Sequence, residues 1–247
     1  MIKPFISVVT AVYNSKNTIE NSILSVINQS YAEIEYIVID GGSTDGTIDI
    51  VMKYKNFIDY FISEPDNGVY DAWNKALDLC SGSWIVFLGA DDEFLPRTFA
   101  AYQNFITENC SFELDYISSK VNIIKKGRVL RTIGEPWKWS SLINHMNIAH
   151  TGSFHSQQLF KNKERFNVNY RIVGDYEFLL RKGKLLKAGF LNQVTVNMNS
   201  GGMSDTISAI LETRKLKQKF GFTSSLSILL DTIISITKLS IRKIIWQ

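Results

Sequence analysis

The sequence predicts an α/β fold: a mostly parallel sheet with helices on both faces, followed by a mixed C-terminal half. Two observations predict it. Short, continuously apolar runs alternate with helix-period segments as far as Leu88, the pattern of strands buried on both faces. A cluster of glycines, carboxylates and small polar residues then follows each of four apolar runs. Right-handed crossovers bring such strand ends to one edge, and ligands bind beyond that edge.

Taken in order, residues 5–12 (FISVVTAV) read as the first strand. Residues 17–28 carry Ile19, Ile23, Val26 and Ile27 at helical spacing, with Asn17 or Ser15 available as a cap. Residues 36–39 (YIVI) are a buried-strand run, 47–54 a helix, 57–62 a strand, 69–79 a helix and 84–88 (WIVFL) a strand. Past Pro96 the pattern changes. Residues 98–107 read as a helix, and 114–124 and 128–133 as two strands joined at Lys125-Lys126-Gly127. Residues 176–187 read as a helix, with Gly189 as its stop signal.

Composition bounds the function. The 247 residues are 45% hydrophobic and 21% charged, ordinary for a globular protein, and 4 Pro with no low-complexity tract exclude extensive disorder. Two cysteines, Cys80 and Cys110, neither staple a chain of this size nor build a cysteine-rich zinc site. The apolar run at the N-terminus is too short for a signal peptide, so a cytoplasmic location is expected. The net charge of +3 is uneven: residues 211–247 hold 7 Lys or Arg against 2 Asp or Glu, which leaves the body slightly acidic. No nucleic-acid partner is expected of such a body. Within the tail the longest uncharged run, 220–230, is about half the roughly 20 residues a spanning helix needs. The tail reads as an amphipathic helix on the cytoplasmic face of an anionic membrane, with Trp246 at the interface. It reads equally as a helix packed on the domain or on a second subunit of a homodimer.

Several residues could do chemistry. Asp91-Asp92 follows a strand, where paired carboxylates can hold Mg²⁺ or Mn²⁺ with phosphate oxygens, or can cap a helix starting near Phe94. Asp40 ends a strand and can accept from a ribose hydroxyl or a base imide N–H. Residues 41–46 have G-x-x-x-x-G spacing, but Thr47 stands where a P-loop needs Lys. The G-x-G-x-x-G turn of NAD-binding folds is also missing. Asp175 reads as a helix cap or as a general base. His150, His155 and Trp73 read as core, and 201–204 (GGMS) as a turn or a closing segment.

The ordered set Ser7-Val8-Val9 through Tyr13-Asn14, then Asp40 to Thr47, then Glu64 to Asn74 (EPDNGVYDAWN), then Gly89-Ala90-Asp91-Asp92 resembles the family 2 glycosyltransferases. The resemblance covers about the first hundred residues well and extends loosely through Arg181. It implies a GT-A fold and an inverting transfer of a hexosyl or N-acetylhexosaminyl group. The implied donor is a nucleotide-sugar, commonly a UDP-sugar, used with Mg²⁺ or Mn²⁺. The implied acceptor is a hydroxyl of a glycan or lipid-linked glycan in cell-surface polysaccharide biosynthesis. Position by position, Ala11 to Tyr13 and Asp40 would hold the nucleotide, and Asp66 would sit near the nucleoside and diphosphate. Asp91, with Asp92 recruited, would hold the metal. Asp175 would be the catalytic base, with Arg181 trailing it, and 201–204 would close near the diphosphate.

Three departures stand out. Gly89 replaces the first Asp of D-x-D, Gly41 a second Asp after the second strand, and Gly174 a Glu before the base. Gly89 and Gly174 keep alive a non-catalytic nucleotide- or metal-binding module. A sugar-1-phosphate nucleotidyltransferase would need an Arg-bearing glycine loop after the first strand, and Tyr13-Asn14-Ser15 is not one. The expected organisation is a transferase domain over 1–205, divided at 95 into a nucleotide half and an acceptor half, and a basic helical segment over 206–247.

Overall fold

The computed structural model describes residues 6–30 and 33–245, with side chains as far as residue 242. Phe5, the expected start of the first strand, and Trp246, the expected interface anchor, lie outside them. The chain runs β1 (Ile6–Val12), α1 (Ile19–Ile27), β2 (Ile34–Asp40), α2 (Thr47–Lys53), β3 (Tyr60–Ser63), α3 (Val69–Leu77), β4 (Trp84–Gly89), β5 (Glu93–Phe94), α4 (Thr98–Glu108), β6 (Tyr116–Lys125) and β7 (Arg128–Ile133). It continues through α5 (Trp139–Leu142), β8 (Phe154–Ser156), α6 (Gly174–Lys182), β9 (Ala188–Asn199), α7 (Ile207–Phe220) and α8 (Ser225–Ile245).

Among the described residues the strands form one sheet in the order β3-β2-β1-β4-β8-β6-β9-β5, with β7 paired to β6. The first four strands in that order are mutually parallel. Their register puts Val12 beside Asp40, Ala11 beside Gly89 and Asp40 beside Ser63, so the polar clusters share one rim. Beyond β4 the sheet turns antiparallel through β8, and β6 and β9 are again parallel to each other.

The apolar strands bury both faces, as their unbroken hydrophobicity requires. Val9, Ile37 and Phe87 face α3 and α6, where they meet Trp73 and Phe178. Val8, Val38 and Val86 face α1 and α4, where they meet Ile23 and Tyr102. Helix α7 belongs to the first of these layers, because Leu216 is fully buried in it.

Several local expectations are corrected. Helix α1 begins after Thr18, and the Ser15 carbonyl, not a side chain, receives the N–H groups of Thr18 and Ile19. β3 starts at Tyr60, because a 3₁₀ turn takes up Lys55–Phe57 and leaves Phe57 exposed. Asp92 caps no helix: Glu93–Phe94 pairs with β9 as a short strand. Helix α6 stops at Lys182, because Gly183 follows at φ 74, a left-handed conformation that glycine adopts at little cost. Gly189 is no stop signal but lies within β9, where an added Cβ would stand 2.7 Å from the Phe105 ring.

Candidate active site

The rim is stitched before any ligand is considered. Asn14, at φ 46, donates its N–H to Ser43 Oγ (2.8 Å) and accepts from the Thr44 N–H (2.9 Å). The Ser15 N–H donates to Thr47 Oγ1 at 2.8 Å. The loops after β1 and β2 are therefore one rigid unit.

Asp40 holds that unit from below. Its carboxylate is fully buried and accepts from the N–H groups of Gly42 (3.0 Å) and Ser43 (2.9 Å), and from the hydroxyls of Ser63 (2.7 Å) and Ser43. Only a carboxylate with its lone pairs satisfied tolerates such burial. These bonds brace the loop that follows β2, on the rim where the resemblance has Asp40 meet the nucleotide. Ala11 packs against the core between Ile39 and Gly89, while Tyr13 stands 63% exposed. Asp66 accepts from the Gly68 N–H (2.8 Å) at the start of α3, and its other oxygen lies over Gly41.

An open cleft of about 420 Å³ is lined by Asn14, Ser15, Asn17, Thr18, Asp91, Gly202 and Met203. Asp91 and the 201–204 turn therefore meet at one place. Burial pushes the Asp91 carboxyl above the usual carboxylate range. Asp92 turns the other way. It is buried, accepts from the Thr151 hydroxyl (2.9 Å) and the Asn199 N–H (3.2 Å), and is pushed up to about 7, first by burial and then by the charge of Asp91. Its carboxylate thereby braces the turn beside Asp91 against the Thr151 hydroxyl and the backbone of Asn199. Among the described residues no cluster of three His, Cys, Asp or Glu could hold an ion. A divalent cation that takes most of its oxygens from a diphosphate and water needs one or two carboxylates. Asp91, whose side chain lines the cleft, fits that requirement.

Asp175 is the second residue of α6, inside the helix rather than capping it. Oδ1 accepts from the Tyr70 hydroxyl (3.1 Å) and the Tyr176 N–H (2.8 Å), and among the described residues no hydrogen bond engages Oδ2. Burial raises its pKa to about 6 against the lowering effect of those bonds. Tyr70 lies in the first turn of α3, immediately beyond the β3 rim loop, so Asp175 is tied to the same edge as Asp91. It is not among the residues lining the Asp91 cleft. Arg181 pairs with Glu164 and, at 3.4 Å, with Glu177. His150 and His155 are buried among aromatic rings, and among the described residues His150 Nε2 and both His155 nitrogens find no hydrogen-bond partner. Tyr70, Thr151 and Asn199 were not read from the sequence; only Tyr70 sat inside a quoted motif.

The profile of Glycosyl transferase family 2 matches residues 7–171. The chain belongs to that family. A PGL/p-HBAD biosynthesis glycosyltransferase of Mycobacterium tuberculosis is 31% identical over 214 residues, 84% of this chain and 82% of the relative. The putative teichuronic acid biosynthesis glycosyltransferase TuaG of Bacillus subtilis is 36% identical over 114 residues, 44% of this chain and 45% of TuaG. Among solved structures, S. aureus TarS 1–349 in complex with UDP-GlcNAc superposes with a TM-score of 0.68 at 18% identity, over 94% of this chain and 71% of that one. A longer TarS structure is spanned only to 43% of its length. The Pyrobaculum calidifontis mannosyltransferase PcManGT, in complex with GDP-Man and Mn²⁺, gives 0.67 at 14% identity, over 97% of this chain and 76% of that one. These likenesses establish the GT-A fold, and the transferase activity follows from the family. Among the described residues no helix is long and apolar enough to cross a membrane.

Proposed function

We propose that this transferase moves a sugar, with inversion, from a UDP-sugar to a hydroxyl of a glycan or lipid-linked glycan in cell-surface polysaccharide synthesis. The relatives named for glycolipid and teichuronic acid biosynthesis support that setting. The UDP and UDP-GlcNAc complexes of TarS support the donor. The observation that carries the reading is a pair of carboxylates on one rim with different environments. Asp91 opens onto the cleft, and Asp175, its pKa raised by burial to about 6, keeps Oδ2 without a hydrogen bond among the described residues.

In this mechanism Asp175 Oδ2 takes the proton of the acceptor hydroxyl, whose oxygen attacks the anomeric carbon. The bond from that carbon to the diphosphate oxygen breaks on the opposite side, and the configuration inverts. Asp91 would hold Mg²⁺ or Mn²⁺, which when bound neutralises the charge gathering on the departing diphosphate. Tyr13 and Asp66 contribute at the nucleotide end, with Asp40 and Ala11 shaping the wall behind it. Incubating the transferase with a panel of nucleotide-sugars and Mn²⁺ tests the reading. Slow release of UDP from one UDP-sugar is the expected outcome. Release of no nucleoside diphosphate from any donor would favour the non-catalytic module.

The same reading extends to the tail. Leu226, Leu230, Ile233, Ile234 and Ile241 recur at helical spacing on α8 and are all about half exposed or more, with Lys238 exposed beside them. Such a stripe suits the headgroup boundary of an anionic membrane. Ile233→Ser/Ile234→Ser should abolish flotation with phosphatidylserine vesicles that the unaltered chain shows. Flotation unaffected by the change, or absent from the start, would remove the membrane role and leave a second copy as the occupant.

A further inference from the structure

Glu212 lies in α7, beyond the segment that the family profile matches. Its carboxylate accepts three consecutive backbone N–H groups: Arg171 at 2.8 Å on Oε1, and Ile172 at 2.7 Å and Val173 at 2.9 Å on Oε2. Those residues lead directly into α6, where Asp175 follows. Charge-assisted bonds to adjacent amides fix a loop more firmly than neutral ones. A second tie closes the arrangement. The Tyr70 hydroxyl lies 2.7 Å from the Ile172 carbonyl and 3.1 Å from Asp175 Oδ1. One proton serves both acceptors, so the loop backbone and the carboxylate are held against the same phenol. Gly174 makes this contact possible, because a Cβ there would stand 2.8 Å from the Tyr70 ring.

We propose that Glu212 and Tyr70 are positioning residues for Asp175, and that α7 is thereby part of the transfer machinery. The inference rests on the reading of Asp175 as the general base. The titratable groups facing Asp175 are Tyr70 from α3, Glu212 from α7 and Tyr116 from β6. Two of them act with opposite sign. The Tyr70 hydrogen bond favours the Asp175 carboxylate, whereas the Glu212 charge disfavours it.

The test is a ¹³C titration of aspartate carboxyls in the full chain, with the Asp175 signal assigned by its loss in Asp175→Asn. Tyr70→Phe should raise the Asp175 midpoint and Glu212→Gln should lower it. In Glu212→Gln, hydrogen exchange of amides 171–173 should quicken about tenfold or more. With UDP-GlcNAc as the hydrolysis probe, both variants should lose kcat with little change in KM. Midpoints unmoved in both variants, or unchanged exchange at 171–173, would overturn the proposal. Tyr70→Phe removes a single oxygen and decides the matter if Glu212→Gln does not fold. The two readings fail separately. Wild-type turnover in Asp175→Asn would sink the base and leave the positional shifts standing, whereas unmoved midpoints with an inactive Asp175→Asn would sink only the positioning.

Discussion

Three glycines stand where many members of the family carry acidic residues, and a Cβ at each would meet a neighbouring side chain. A Cβ at Gly41 would stand 2.7 Å from Asp66 Oδ2, and one at Gly89 would stand 2.9 Å from Asp92 Oδ2 and 3.1 Å from Asp91 Oδ1. A Cβ at Gly174 would meet the Tyr70 ring at 2.8 Å. Each missing side chain leaves space that a neighbouring group of the rim (Asp66, Asp91 with Asp92, or Tyr70) occupies. Gly174→Ala separates two opposing effects. Helix propensity favours Ala over Gly by at most about 1 kcal/mol, and by less at the first residue of a helix, where Gly174 stands, whereas forcing a methyl into a packed ring contact costs about 1–3 kcal/mol. The ring lies in the buried core and cannot easily retreat, so net destabilisation is expected in urea denaturation. In a Tyr70→Ala background the penalty should vanish and the propensity gain should appear. An equal cost in both backgrounds would show that the Tyr70 contact is not what excludes the side chain.

At the scale of elements, legibility followed hydrophobic pattern. β1, β2 and β4 were readable because strands buried on both faces are uninterrupted runs, and α1 because Ile19, Ile23 and Val26 repeat at helical spacing and are all buried. β9 was not readable. Its sequence, AGFLNQVTVNMN, mixes glycine and amides with apolar residues, and its pairing with β6 shifts register along the way. The end of α6 was misplaced because Gly183 and Gly189 offer the same local signal, and only the tertiary structure says which terminates a helix and which admits the Phe105 ring. At the site, the resemblance pointed to Asp91 and Asp175. That Asp40 and Asp92 are inward-facing anchors depends on donors distant in sequence, Ser63, Thr151 and Asn199 among them. Spacing cannot reveal such pairings. The Glu212 clamp was hidden for the same reason, since it spans some forty residues from α7 back to the loop before α6.

At the scale of the molecule, the aromatic layer under the rim holds two neutral imidazoles. His150 stacks on Trp73 and lies 4.9 Å from His155 between ring centroids. Burial pushes the pKa of His150 down to about 3 and that of His155 well below its ordinary value. An unfolded chain would bind those protons near pH 6.5, so this contribution to stability is present above that pH and is lost as pH falls toward 3. Asp92 and Asp175 act in the opposite sense, because their raised pKa values make their contribution fall as pH rises toward 7. A variant comparison isolates the histidine. His150→Phe should gain stability over the wild type progressively from pH 6.5 downward, reaching on the order of 4 kcal/mol near pH 3. Urea midpoints at pH 7.5 and 4.5 measure the trend, and a difference independent of pH would mean that His150 does not titrate as its burial requires.

In the proposed mechanism the rim is one reaction centre, in which the Asp91 cleft holds the donor and Asp175 activates the acceptor. The most direct measurement is single-turnover sugar transfer by Asp175→Asn, compared with wild type under Mn²⁺ and alongside UDP binding by calorimetry. Transfer should fall by about 10² to 10⁴ while UDP binding stays within about twofold. Transfer at the wild-type rate, or loss of nucleotide binding together with transfer, would contradict it.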